Sequence, residues 1–368
     1  MKILVNALIF LSLFTLLISC NEQGINPREQ IKDPREMVWV VDTIAYPNSI
    51  QTMMWSIWAS SLNDVWISGH EATGGSGAIW HYDGLKWKVV EPMKDIPLWS
   101  IQVNKIMGLT PNNIWAVGAR NYQDLIDPSK KWYKDMIINY DGTKWREYTQ
   151  NSGCRVIGLY CNTPNDIWAC GDSGRVFNYN GVNWKTVRVK LNLPTVAEYF
   201  LRSIAVMNNT AYLLASVIDI ANRYKQRHYF IKGNMNNWTI ADSMYYYNPS
   251  DKVLFGDKGL YIGPNKELYS YGLYGIWRYT GSSWEQSFRS ADYIINGMIE
   301  LKSDYKIAVG DFGNVLFYDG SIWNILKNLN DGSNNIHYQA VWTNGAEVFV
   351  IGYTGGALPQ KTIVWHGK

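Results

Sequence analysis

Residues that could perform acid–base chemistry are few in this chain. Two short glycine-bounded segments, 171–174 (Gly-Asp-Ser-Gly) and 310–313 (Gly-Asp-Phe-Gly), each carry one aspartate. Two carboxylates can bind a cation or act as acid and base, but an aspartate in a tight turn more often caps its own turn. His70, His228 and Asp172 are the best catalytic candidates, although no Gly-x-Ser-x-Gly or His-Glu-x-x-His motif accompanies them. The sequence therefore favours a protein that is not an enzyme, and it predicts neither a metal site nor a cofactor.

A second set of residues could bind a partner rather than catalyse a reaction. Aromatic and charged side chains are concentrated in segments that vary in length, chiefly 119–135 and 217–228. Exposed Trp and Tyr rings stack on the C–H faces of sugars and also anchor protein partners. The predicted ligand-binding residues are Trp99, Arg120, Tyr122, Trp132, Tyr133, Arg223, Tyr224, Arg227, His228 and Tyr246.

A repeated pattern determines where these residues lie. One motif is an Asp-Gly or Asn-Gly turn followed by tryptophan, as in 81–87 (His-Tyr-Asp-Gly-Leu-Lys-Trp). A second motif precedes each turn, as in 63–69 (Asn-Asp-Val-Trp-Ile-Ser-Gly). The first motif recurs at 139–145, 178–184, 278–284 and 317–323, and more loosely at 232–238; the second recurs at 112–118 and 165–171, with weaker copies at 210–215, 267–272, 305–310 and 347–352.

Each repeat is long enough for four short strands, with the tryptophan of the first motif opening the fourth. Repeats of this length with Asp-Gly hairpin turns are typical of β-propeller blades. The seventh repeat ends at Lys368 without a fourth strand, and residues 37–42 (Met-Val-Trp-Val-Val-Asp) resemble the missing one. The prediction is an all-β, seven-bladed β-propeller over residues 37–368, closed by its N-terminal strand and monomeric. The recurring tryptophans are then packing residues and the recurring aspartates are turn residues.

In a propeller, the connections between strands two and three lie on the same face as those between blades. Here both kinds are long and variable, whereas the other turns are short and uniform. Variation confined to one face of a rigid ring indicates a binding surface. The candidate residues named above belong to this predicted face.

The N-terminus has the pattern of an export signal. Lys2 precedes an apolar stretch that ends in Leu-Ile-Ser-Cys at residues 17–20, which is too short for a membrane-spanning helix. The ending resembles the bacterial lipobox, and the resemblance implies lipidation of Cys20 after removal of residues 1–19. Residues 20–36 are then a flexible tether to the membrane. We expect a location in the bacterial cell envelope at the outer membrane.

The repeats themselves resemble those of bacterial seven-bladed β-propeller lipoproteins, over nearly all of residues 37–368. The turn motif is also similar to the Asp-box of sialidase-like propellers and to WD40-like repeats. It departs from the Asp-box because Asp83 is followed directly by Gly84. No catalytic residue of the sialidases therefore has a counterpart in this chain.

The remaining cysteines leave two alternatives open. Cys161 and Cys170 flank the Asn165-Asp166 turn symmetrically, and opposite positions of a hairpin can accept a disulfide. Two buried thiols are the other alternative. Cys154 could compete for either partner.

Three functions fit these observations. The favoured one is a membrane-anchored module that binds a glycan or an envelope protein through one face of the propeller. A structural component of an envelope assembly is the main alternative, and a propeller glycoside hydrolase or lyase is less favoured. The formal net charge of +3 on 368 residues is too small to indicate nucleic-acid binding.

Overall fold

A computed structural model describes residues 31–74, 76–91, 100–123, 127, 131–191, 197–219, 226–246, 252–290, 293–329 and 335–368. Apart from one short 3-10 helix, Lys327–Leu329, the regular elements are all β-strands. None of the helical structure in these ranges is long and apolar enough to cross a membrane. The all-β prediction is confirmed.

The strands form seven blades, each a sheet of four antiparallel strands. Blade 7 receives the first strand of the chain, β1 (Trp39–Ile44). Blades 1 to 3 contain β2 (Thr52–Ser61), β3 (Asp64–Glu71), β4 (Ile79–Tyr82), β5 (Trp87–Val90), β6 (Ser100–Thr110), β7 (Asn113–Gln123), β8 (Lys131–Tyr140), β9 (Trp145–Glu147), β10 (Val156–Thr163), β11 (Asp166–Gly171), β12 (Arg175–Tyr179) and β13 (Trp184–Arg188).

Blades 4 to 7 follow the same plan. They contain β14 (Ala197–Met207), β15 (Thr210–Asp219), β16 (Gln226–Gly233), β17 (Trp238–Tyr246), β18 (Gly259–Ile262), β19 (Leu268–Gly272), β20 (Gly275–Tyr279), β21 (Trp284–Phe288), β22 (Ile295–Lys302), β23 (Tyr305–Gly310), β24 (Val315–Tyr318), β25 (Trp323–Ile325), β26 (Ile336–Thr343), β27 (Val348–Thr354) and β28 (Thr362–Gly367). Blades 1 and 2 are also joined by a single pair, His70 with Gln102.

The N-terminal strand closes the ring as predicted. β1 pairs antiparallel with β28, in a register that places Trp39 opposite Gly367 and Ile44 opposite Thr362. The backbones of Val38 and Lys368 exchange two further hydrogen bonds of 3.1 and 3.0 Å. Because the outer strand of blade 7 comes from the start of the chain, the last sheet is complete and the ends of the ring are tied together.

The core consists of seven apolar clusters, each shared by two neighbouring blades. Trp66 of blade 1 lies in the cluster shared with blade 2, and Trp115 of blade 2 lies in the cluster shared with blade 3. The tryptophans that open the fourth strands pack at the margins of the same clusters. A residue that recurs once per blade therefore holds adjacent blades together by burying apolar surface.

The turn motif has the same geometry in several blades. In blade 1, Asp83 Oδ1 accepts hydrogen bonds of 3.0 Å from the backbone N–H groups of Leu85 and Lys86. Gly84 has a φ of 89°, and a Cβ there would lie 2.4 Å from Oδ1 of Asn63 in the second motif. Glycine is therefore required both by the backbone conformation and by the packing of the two motifs. The hydrogen bonds lower the pKa of Asp83, first through Lys88 and then through the turn amides.

The first strands of neighbouring blades contact one another, so they line the central axis. In six of these strands, the pairing with the second strand skips one residue, which is a β-bulge. We call the six skipped residues the bulge residues: Trp55, Asn104, Ile157, Arg202, Asn296 and Gln339.

Three bulge residues donate a side-chain hydrogen bond to the next blade. Trp55 Nε1 lies 3.0 Å from the carbonyl oxygen of Val103, and Asn104 Nδ2 lies 2.7 Å from that of Val156. Asn296 Nδ2 lies 2.9 Å from the carbonyl oxygen of Tyr338. Each acceptor immediately precedes the next bulge residue. These three bonds, which we call lateral links, join blade 1 to blade 2, blade 2 to blade 3, and blade 6 to blade 7 near the central axis.

Candidate binding site above blade 3

The blades differ in height on the predicted binding face. In blade 2, β7 runs five residues past Gly118, and in blade 4, β15 runs four residues past Ala215. The equivalent strand of blade 3 ends at Gly171. At about 3.3 Å per residue, the flanking hairpins rise roughly 13–16 Å above blade 3. We call the resulting recess the blade 3 cleft: it lies above residues 171–175, between the hairpins of blades 2 and 4.

This is a correction to the sequence-based prediction of long loops. Within 119–135, the backbone continues as an antiparallel ladder from the pair Ala119–Asp135 to the pair Gln123–Lys131. Within 217–228, Val217 pairs with Arg227 and Ile218 with Gln226. The variable segments are therefore extended strands for most of their length, which makes them firmer walls than irregular loops.

A small cavity lies at the base of the cleft. Its volume is about 260 Å³. It is lined from blades 2, 3 and 4 by Gln102, Asn104, Arg155, Ile157, Phe200, Arg202 and Ile218. Three consecutive bulge residues thus contribute to one cavity, and two arginines supply its charge.

Arg155 is held by a carboxylate. Its Nε donates to Asp172 Oδ2 at 2.7 Å, and its guanidinium carbon lies 5.6 Å from the ring centre of Tyr133. Burial acts to lower the pKa of Arg155, but the hydrogen bond to Asp172 and the negative charge of that carboxylate together outweigh it, so the pKa is raised. Asp172, one of the two candidate carboxylates, therefore positions a cation and is not a free acid or base.

Arg202 has a different environment. Its Nε donates to Ser216 Oγ at 2.8 Å, and that oxygen lies 3.1 Å from Nδ1 of His228. No described residue places a carboxylate within ion-pair distance of Arg202. Burial lowers the pKa of Arg202, an effect that Asp257 only partly offsets. Arg202 is therefore a half-buried cation without a salt bridge among the residues described.

The junction of blades 3 and 4, beside the cavity, is one of those at which the described residues make no such link. Ile157 occupies the bulge position of blade 3, and its side chain has no donor for the carbonyl of Leu201 in blade 4. The nearest substitute is Cys170, whose Sγ lies 3.7 Å from that oxygen. An apolar residue in a series of polar ones therefore marks the site.

Of the ten predicted binding residues, three have side chains that are at least partly exposed, two are buried, and five have side chains outside the described part of the chain. Tyr133 is 46% exposed and projects from β8 towards Arg155 of blade 3, whereas its neighbour Trp132, 45% exposed, projects from the opposite side of the strand towards blade 1. Arg227 stacks on Tyr245 with its guanidinium carbon 3.9 Å from the ring centre. Trp99, Arg223 and Tyr224 lie outside the described residues, as do the side chains of Tyr122 and Tyr246, whose backbones belong to β7 and β17.

Two of the predicted residues are buried. Arg120 is 6% exposed and pairs with Glu147 of its own blade, so it stabilises blade 2 and does not reach the exposed face. His228 is also buried, beneath Arg202 and against Ser216. Their sequence neighbourhood is variable, but the alternation of the extended strands turns these two side chains inward.

The catalytic candidates are not brought together. His70 lies in blade 1, Asp172 in blade 3 and His228 in blade 4. Asp311, the second turn aspartate, accepts a hydrogen bond of 2.8 Å from Asn296 Nδ2 and lies 3.0 Å from His337 Nδ1. Within the described part of the chain, no three His, Cys, Asp or Glu side chains are grouped as metal ligands would be.

Of the two alternatives left open for Cys161 and Cys170, the structure has the buried thiols and not the disulfide. Cys161 pairs with Ile167 and Cys170 pairs with Gly158, because the tight turn begins at Pro164 and a bulge shifts the register. The side chains pack on opposite faces of blade 3, Cys161 towards blade 2 and Cys170 towards blade 4. Cys154, Cys161 and Cys170 are all free, buried thiols, and burial raises the pKa of each.

Sequence reasoning missed Arg155, Phe200 and Arg202. They lie at the start of first strands, where the repeat motifs carry no mark. When the first strands are aligned with one another, equivalent positions are polar in some blades and apolar in others. That difference was the available signal.

Comparisons with known proteins show the fold alone. No family model matches the chain, and no curated protein matches it in sequence. Solved propellers are similar: YCF48 from Cyanidioschyzon merolae has a TM-score of 0.56 at 12% identity, with 89% of this chain and 98% of that chain covered. A structure of YCF48 bound to D1 peptide has the same TM-score and identity, with coverages of 91% and 95%.

Proposed function

We propose that the protein is an exported binding module that holds an extended segment of a protein partner in the blade 3 cleft. The observation that carries this proposal is the cleft itself, with the exposed ring of Tyr133 beside Arg155 of a charged cavity. Exposed aromatic side chains beside a recess are typical anchors for a protein partner. A propeller of the same fold has been solved with a bound peptide, which supports the same use here.

The size of the cavity suits one residue of an extended ligand. Sites that enclose a small molecule usually have volumes of about 300–1,000 Å³. The cavity above blade 3, at about 260 Å³, lies below that range and is large enough for one side chain. The remainder of such a ligand would lie along the walls of the cleft.

Site-directed photocrosslinking in intact cells tests this proposal. A benzophenone amino acid at position 133 in the cleft should crosslink a protein. The same group at position 85 is the control, because Leu85 is 89% exposed on a turn between third and fourth strands, away from the cleft. Crosslinks at 133 that contain only carbohydrate, or equal crosslinking at both positions, contradict the proposal.

The location in the cell envelope is part of the same proposal. It rests on the N-terminal residues 1–20 and their resemblance to a lipoprotein signal. The Cys20→Ala variant should lose its lipid and move from the membrane fraction to the soluble exported fraction. Unchanged membrane association of the variant, measured by cell fractionation, contradicts lipid anchoring.

A further inference from the structure

The charge of the cavity specifies its ligand more closely. Arg155 and Arg202 are the ionised groups of the lining, and their guanidinium carbons lie 5.9 and 5.8 Å from the ring centre of Phe200. Asp172 neutralises Arg155, whereas Arg202 has no such partner among the described residues. Counted over the lining residues and Asp172, the cavity therefore has an excess of about one positive charge, which Asp257 offsets only in part from a greater distance and which a single negative charge would balance.

The donors of Arg202 are only partly used. Nε donates to Ser216, and neither Nη atom has a hydrogen bond to a described residue. A guanidinium group binds a carboxylate through two parallel N–H donors, in a planar and directional arrangement. The adjacent Ile157 and Ile218 supply apolar walls, which limit water and strengthen an ion pair made inside the cavity.

We propose that the cavity binds the carboxylate of an aspartate or glutamate side chain in the partner peptide. Arg202 is the principal cation, and Arg155, positioned by Asp172, is the second. A monoanionic carboxylate matches the excess charge, whereas a dianionic phosphate would exceed it. This assignment rests on the proposed function, because the carboxylate belongs to the peptide held in the blade 3 cleft.

Selection from a random peptide display library tests the proposal without knowledge of the natural partner. The full chain, held in detergent micelles, is the target. Enriched peptides should share an acidic residue, and replacing it by its amide should weaken binding by about 10- to 100-fold, the usual effect of a hydrogen bond to a charged group.

The variants Arg202→Gln and Arg202→Lys show whether that acidic residue meets Arg202. Arg202→Gln should lose most of the same factor for the acidic peptide, and it should retain only the small preference for the acidic over the amide peptide that Arg155 supplies. Arg202→Lys should retain part of the affinity. Arg146→Gln is the matched control, since it removes one positive charge from an exposed pair with Asp141 outside the cavity. Thermal unfolding establishes that each variant is folded.

The outcomes separate this inference from the proposed function. If enriched peptides share no acidic residue, or bind Arg202→Gln as tightly as the wild type, the carboxylate assignment is overturned. Loss of those peptides from a Tyr133→Ala variant would still support the cleft. If no peptide is enriched and an acidic polysaccharide binds instead, both proposals fail.

Discussion

The two sides of the central axis use the same backbone differently. At blades 6 and 7, the bulge residue Asn296 donates to the carbonyl of Tyr338 and to Asp311. At blades 3 and 4, the bulge residue is Ile157, which donates to neither equivalent group. We call the junction of blades 6 and 7, which has these polar links, the closed side, and the junction of blades 3 and 4, which borders the cavity, the open side.

The two turn aspartates show which residues of blade 3 are equivalent to which residues of blade 6. The backbone N–H of Asp172 donates to the carbonyl of Arg155, and that of Asp311 donates to the carbonyl of Ile294, both at 3.0 Å. Arg155 and Ile294 are therefore equivalent, as are Ile157 and Asn296. The polar and apolar residues have changed places, so the aspartate of blade 3 is bound by an arginine that faces the cavity. The cavity thus lies at a junction where the hydrogen bond made by Asn296 in blade 6 is absent.

Removing the link on the closed side should have the largest effect. The Asn296→Leu variant loses two hydrogen bonds, one of them to a carboxylate, and leaves the carbonyl of Tyr338 unpaired in a buried environment. We expect a loss of about 2–4 kcal/mol in the free energy of unfolding, measured by urea denaturation. A loss below that of an exposed substitution such as Leu85→Ala would show that the link does not stabilise the ring.

The link that borders the cavity should matter less. Asn104→Leu removes the bond to the carbonyl of Val156, which is half-buried and so remains accessible to water. The expected loss in the same denaturation experiment is about 1–2 kcal/mol. A loss in the free energy of unfolding as large as that of Asn296→Leu would mean that the links at the two junctions stabilise the ring equally.

Protonation of His228 should weaken the open side at mildly acidic pH. Burial lowers the pKa of His228 from its ordinary value of 6.5, so the folded protein holds fewer protons there than the unfolded chain. Its contribution is therefore complete above pH 6.5 and is lost as the pH falls towards the folded-state pKa. We expect a contribution of about 1 kcal/mol or less between pH 8 and pH 5.5.

The His228→Gln variant isolates that contribution, because other histidines titrate in both proteins. The stability difference between wild type and variant should shrink from pH 8 to pH 5.5, measured by urea denaturation at each pH. A difference that is constant with pH would rule out a lowered pKa for His228.

Restoring the missing donor should have the smallest effect on stability. Ile157→Asn introduces an amide that can reach the carbonyl of Leu201, as Asn104 reaches that of Val156. The new hydrogen bond and the lost apolar contacts nearly offset each other, so the change should stay within about 1 kcal/mol. Stabilisation by several kcal/mol would indicate that the open side is strained. The matched variant Ile157→Val tests the loss of apolar surface alone.

Much of the fold was predictable because it repeats. The Asp-Gly turns around Gly84 and Gly142 require a positive φ, and this requirement recurs at fixed intervals in the sequence. The missing fourth strand of the last repeat and the spare strand at Trp39 were likewise visible, and the pairing of β1 with β28 confirms their match. Trp132 and Tyr133, which are exposed in the structure, were also named from the sequence as binding residues, and that role stays a prediction.

What the sequence by itself determined was the unit, the number of units and the way the ring closes, because local turn geometry and apolar periodicity are written in each repeat. Only the tertiary structure decided which polar residues meet. A bulge shifts strand register by one residue, so it changes the partner and the face of every side chain beyond it. That shift separates Cys161 from Cys170 and contributes to bringing Arg155 and Arg202 from two blades to one cavity. Arg120 and His228 turn inward for a different reason, because they alternate along strands that are longer than the motifs suggested.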